Sequence, residues 1–102
     1  MLEELKNFIQ TVENFDNLKA SEQVDFFGHF FIYGKKQDFF TPSQIEKAFA
    51  TLRLLPYSNV PQYLNDNSNK AKIKKKKVKF IKTKDGFNFL SVYEKELKSK
   101  IK

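Results

Sequence analysis

Between Lys70 and Lys84, nine of fifteen residues are lysine, with Lys74, Lys75, Lys76 and Lys77 consecutive and Lys79, Lys82 and Lys84 following. Ammonium groups at that density suit one task above others, the neutralisation of a nucleic-acid backbone with release of its condensed counterions. Residues 58 to 69, just upstream, contain no Lys or Arg but carry Asn59, Gln62, Tyr63 and Asn65. Amide side chains can bond an adenine edge bidentately, so phosphate-binding and base-reading groups are segregated along the chain. The plainer alternative is a solvated Lys-rich loop beside an ordinary polar helix. Eighteen of the nineteen basic residues are Lys, Arg53 being the exception, and Phe, Asn and Ile are abundant, preferences that an AT-rich genome would produce. Such bias does not explain the clustering.

The charge division is sharp. Residues 1 to 66 carry six basic and nine acidic side chains, whereas residues 67 to 102 carry thirteen and three. An asymmetry of this kind points to an acidic partner: nucleic acid, an anionic surface or an acidic protein. Catalytic chemistry has little to work with. The 102 residues include no Cys and one His, which excludes a disulfide scaffold, Cys-ligated metal sites and multi-His metal sites. His29 follows Asp25 by one helical turn, with no Ser or Cys nucleophile placed beside it, and Gly28, Gly34 and Gly86 stand alone, so no Gly-rich phosphate loop exists. The expectation is a binding protein without enzymatic activity or cofactor. No run approaches the length of a membrane span, and the opening Met-Leu-Glu-Glu is acidic where a secretory signal is basic. A cytoplasmic protein is expected.

The elements that must position these groups can be read from spacing. Leu2, Leu5, Ile9 and Val12 share one helical face, predicting a helix from Leu2 to about Phe15. A second, from Ser21 to Tyr33, is apolar over most of its circumference, with Glu22, Asp25 and His29 as its polar edge, Ser21 as a candidate cap and Gly34 as a left-handed stop. Asp38-Phe39-Phe40 is a short extended segment. Thr41-Pro42-Ser43-Gln44 is a capping box that opens a helix burying Ile45, Ala48, Phe49 and Leu52, with Phe40 and Ile45 as a hydrophobic staple. After Leu54-Leu55-Pro56-Tyr57, Ser58 or Asn59 caps a helix with Pro61 in its first turn and Val60, Tyr63 and Leu64 inward. Residues 65 to 77, polar and Asn- then Lys-rich, are expected to form a flexible loop. Val78 to Thr83 and Phe87 to Val92 flank Asp85-Gly86 as a hairpin, paired either Lys84 with Phe87 or Thr83 with Phe87 and Ile81 with Phe89. Ser91 and Glu94 form a second capping box, opening a helix with Tyr93, Leu97 and Ile101 on one stripe.

From Ser21 this order is helix, short strand, helix, turn, helix, strand, turn, strand. Carried by Thr41 to Ile45, Ser58 to Leu64 and Phe80 to Leu90, it resembles the winged helix-turn-helix family over about residues 21 to 92. The resemblance implies an α+β fold, a three-helix core with a C-terminal β-hairpin wing, here flanked by N- and C-terminal helices in one domain of residues 1 to 102. It implies that Asn59, Gln62, Tyr63, Asn65 and Asp66 lie on or near a DNA-reading helix, and that Lys82, Lys84 and Asp85 form the wing tip. Double-stranded DNA is the expected partner and transcriptional regulation the expected setting. The alternative is a winged-helix adaptor that binds protein, with the flanking helices available for a homodimer.

Overall fold

The computed structural model describes residues 2–68 and 78–101. The predicted phosphate contacts Lys74, Lys75, Lys76 and Lys77 lie outside the described residues. Among the described residues the fold is α+β, with five α-helices and a small two-stranded antiparallel sheet. Among the described residues no helix is long and apolar enough to cross a membrane.

Helix α1 spans Leu2–Gln10, shorter than its apolar periodicity predicts. The Thr11 hydroxyl donates to the Phe8 carbonyl at 2.6 Å, a local bond that competes with continuation of the helix. Val12 is nevertheless buried, because it forms an antiparallel bridge with Ile101, and the Glu13 N–H donates to the Lys100 carbonyl at 2.9 Å. The segment that follows α1 is thus joined to the residues that follow the last helix. A 3-10 turn at Phe15–Asn17 follows, entered through Asn14 at φ 54°.

Helix α2 spans Ala20–His29 and runs on as a π-turn at Phe30–Gly34. Ser21 does not cap it. The chain enters helical geometry one residue earlier, and the Glu22 carboxylate accepts from the Lys19 N–H at 3.3 Å. Nor is Gly34 a left-handed stop; in the wider π-turn the Lys35 N–H reaches the Phe30 carbonyl at 3.1 Å, and the positive φ falls on Lys36. The expected polar edge is also inside, since Asp25 and His29 are both buried. A helix enclosed on nearly all sides leaves no solvent-facing strip for them, so their surroundings must supply what water would.

Helix α3, Pro42–Thr51, opens as its sequence predicts. Thr41 Oγ1 accepts from the Gln44 N–H at 3.2 Å and Gln44 Oε1 accepts from the Thr41 N–H at 3.0 Å, a reciprocal capping box with Pro42 in the first turn. Its apolar face buries Ile45, Ala48 and Phe49, and the Phe49 ring meets the Phe27 ring of α2 edge-on at 4.9 Å. Helix α4, Val60–Asp66, is capped by Asn59, whose Oδ1 accepts from the Gln62 N–H at 3.1 Å. It buries Val60, Tyr63 and Leu64.

Strands β1, Phe80–Lys82, and β2, Phe87–Phe89, pair Phe80 with Phe89, Ile81 with Asn88 and Lys82 with Phe87. Neither predicted register occurs. The Thr83 N–H donates to the Gly86 carbonyl at 2.7 Å while Thr83 Oγ1 accepts from the Gly86 N–H at 2.9 Å, so the turn closes over Lys84-Asp85 rather than over Gly86. Gly86 has no positive φ; it is required because a Cβ there would lie 2.4 Å from the Phe40 carbonyl oxygen. Phe40 and Phe87 bridge on the free side of β2, and β1 is held on its other side by a parallel bridge to Ser68 at the end of α4. Close approach is needed once more at Gly28 of α2, where a Cβ would meet the Phe40 ring at 2.9 Å. Phe40, Phe80, Phe89 and Tyr93 form one aromatic cluster beneath the hairpin.

Helix α5, Ser91–Lys98, lies against α2. The expected Ser91 cap is absent because Leu90 occupies the cap position and Ser91 is already helical. The element order and the Phe40 bridge are compatible with a winged-helix layout.

Candidate nucleic-acid interface

The residues expected to contact nucleic acid fall into two groups. On the outer face of α4, Asn59, Gln62 and Asn65 are exposed, but their amides are engaged locally. Asn59 Nδ2 donates to Gln62 Oε1 at 3.2 Å, and Asn65 Nδ2 donates to the Pro61 carbonyl at 3.0 Å. A bidentate contact to adenine needs the oxygen and one N–H of the same amide, and each of these side chains already commits part of its hydrogen-bonding capacity within α4. With Tyr57, Ser58, Tyr63 and Asp66, Asn59 and Gln62 border a shallow depression of about 240 Å³.

The lysines divide as well. Lys82 at the end of β1 and Lys84 in the turn are exposed, and they share the hairpin tip with Asp85. The short turn held by Thr83 and the Phe40–Phe87 bridge fix that tip relative to the core. Lys79 points the other way. Its Nζ lies 3.2 Å from Asp25 Oδ2 and donates to the Tyr63 hydroxyl at 2.9 Å, with its side chain 21% exposed.

Tyr63 and Lys79 therefore belong to a buried polar cluster and not to the outer face. At its centre is Asp25, 0% exposed. The Tyr63 hydroxyl donates to Asp25 Oδ1 at 2.8 Å, and the Tyr93 hydroxyl donates a short bond to Oδ2. The Lys79 ammonium also sits over both phenol rings, 5.4 Å from the Tyr63 centroid and 5.1 Å from that of Tyr93. Four elements, α2, α4, the lead into β1 and α5, thus converge on one carboxyl group. Burial pushes the Asp25 carboxyl above its usual range, opposed by the Lys79 charge and the two phenols, while burial and the adjacent carboxylate push both phenols up.

His29, one turn along α2, has no such support. It is 7% exposed, and neither ring nitrogen has a hydrogen-bond partner among the described residues. Its ring lies 4.5 Å from that of Tyr33 and 6.0 Å from that of Phe8, and burial, aided by Lys98, lowers its pKa to about 4. It is a neutral aromatic filler rather than one member of an acid-base pair with Asp25. The sequence pattern puts Asp25 on a solvent edge and so does not reveal the cluster. The signal that finds it is a carboxylate flanked by Val24, Phe26 and Phe27 in a helix apolar on nearly all sides, which can only be buried with partners.

No protein-family model, curated protein or solved structure matches the chain.

Proposed function

We propose that this chain is a winged-helix-like, cytoplasmic domain that binds double-stranded DNA mainly through the phosphate backbone, with Lys82 and Lys84 of the hairpin tip and the adjoining Lys-rich segment supplying the contacts. Binding, not catalysis, is its task. The observation that carries this reading is segregation along the surface: Lys82 and Lys84 are exposed on a hairpin pinned to the core, whereas the neighbouring α4 amides are bonded within α4. Discrimination among sequences is correspondingly weak, and a role in transcription rests on occupancy of DNA more than on base reading.

The test is duplex affinity as a function of salt. If about five phosphates are neutralised, log K falls with log salt at a slope of about −4 to −5. Replacing Lys82 and Lys84 together reduces the magnitude of that slope by about two for every duplex tested. No binding at low salt, or a slope near zero, would instead favour a protein-binding adaptor, for which Leu55, 88% exposed between α3 and α4, is a natural contact.

A further inference from the structure

Among the Lys79, Lys82 and Lys84 ammonium groups at the hairpin, Lys79 alone is turned inward. It holds an incompletely buried position, with its aliphatic stem leading to a fully buried carboxyl group to which two phenols also donate. From this geometry we infer that Asp25 and a DNA phosphate compete for the Lys79 ammonium, so that duplex binding is coupled to uptake of one proton by Asp25. The inference rests on the DNA-binding reading above and adds a regulator to it.

The exchange is balanced. With Lys79 inward, the ammonium and the carboxylate cancel each other. When Lys79 swings to a phosphate, an uncompensated carboxylate would be left fully buried, a costly state. A proton from solvent then forms an O–H bond on Asp25, the phosphate takes over as counter-charge for Lys79, and Tyr63 and Tyr93 retain hydrogen bonds with the neutral acid. Ionised and protonated forms of Asp25 therefore favour the inward and outward positions of Lys79 respectively, and linkage makes the effect reciprocal: acid strengthens binding, and DNA raises the proton affinity of Asp25.

The titratable groups that bear on the cluster are Lys79, Tyr63 with Tyr57 beside it, Tyr93 and Glu96 of α5, and Glu22 on α2 itself. His29, on the same helix, faces Glu94 and Lys98 and supplies a separate acid-side background. Lys79→Met retains the stem and preserves that background while removing the contested ammonium, so that Asp25, left without its counter-charge, is held neutral with or without DNA.

The experiment measures duplex affinity from about pH 8 to about pH 5 at constant salt, for the parent chain, Lys79→Met and Asp25→Asn. One linked proton strengthens binding by up to about tenfold per pH unit within the titration range of Asp25. The parent should gain at least about threefold more than Lys79→Met over that range, and Asp25→Asn, where folded, should bind with little pH dependence. Equal pH dependence in the parent and Lys79→Met would overturn the coupling while leaving the DNA-binding reading intact. Absence of duplex binding at every pH and low salt would overturn both. Should Asp25→Asn fail to fold, the comparison of the parent with Lys79→Met still decides the matter.

Discussion

The backbone groups of Phe40 and Phe87 exchange two hydrogen bonds, each 2.8 Å, across the 47 positions that separate them in the chain. Together with the Asn88 side chain, whose Nδ2 donates to the Asp38 carbonyl at 3.1 Å, this bridge fastens the hairpin to the segment between α2 and α3. It also explains Gly86, whose missing side chain leaves room for the Phe40 carbonyl and for the Phe39 ring, 2.6 Å from where a Cβ would sit.

Gly86→Ala should therefore destabilise the domain by about 1–3 kcal/mol, since the clash is with backbone that cannot rotate away. Urea unfolding of the two chains measures the difference. An unchanged midpoint would mean that the hairpin is not held against Phe40.

The interior carries the stability that the surface does not. Phe49, 0% exposed and edge-on to Phe27, should cost about 3–5 kcal/mol when replaced by Ala, whereas Leu55→Ala should change stability by less than about 0.5 kcal/mol. Thermal melts of both variants give the comparison, and similar losses from the two would contradict the burial pattern.

The Asp25 cluster should show itself as non-additivity. Tyr63→Phe and Tyr93→Phe each remove one donor to the same carboxyl group, at a cost of about 1–3 kcal/mol apiece, and the double variant should depart from the sum of the two. Additive losses in a double-mutant cycle would show that the two phenols act independently.

His29 makes stability pH-dependent on the acid side. Its folded pKa is about 4 against an ordinary 6.5, so the unfolded chain takes up a proton that the folded chain refuses. The contribution is complete above about pH 6.5 and is lost as pH falls toward about 4, by at most about 3 kcal/mol. Asp25 acts with the opposite sign, because its raised folded pKa favours the folded chain in acid and that benefit fades as pH rises through it. The difference in unfolding free energy between the parent and His29→Phe, followed from pH 7 to pH 4, isolates the histidine. A constant difference would place His29 in contact with solvent.

Alanine at both Gln62 and Asn65 should leave the ranking of duplex sequences unchanged, because local bonds within α4 already engage their amides. Relaxed preference among duplexes, measured in competition with melting temperatures matched to the parent's, would show that the local bonds open and that α4 reads bases.

Local chemistry was legible wherever the chain reports on its own neighbours. The Thr41 to Gln44 capping box, the Asn59 cap with Pro61 in the first turn, and the inward set Ile45, Ala48, Phe49, Val60, Tyr63 and Leu64 follow from contacts within one helical turn or from the helical period. The segregation of lysines from amides was legible for the same reason: it is a property of composition along the chain.

Tertiary structure decided what those groups do. Periodicity shows that α2 is largely apolar, but only the docking of α4, the lead into β1 and α5 turns Asp25 from an edge residue into the buried centre of a cluster and draws Lys79 and Tyr63 away from the outer face. The hairpin register likewise depended on Thr83 and on Phe40, the latter in another part of the sequence, so the Asp85-Gly86 turn signal alone chose the wrong pairing. Which residues are charged, apolar or able to cap follows from the amino-acid order alone, because those are properties of single side chains and their near neighbours. Which charge meets which partner was settled by long-range packing, since the cost of burying a carboxylate or amide depends on groups that the fold alone brings within reach.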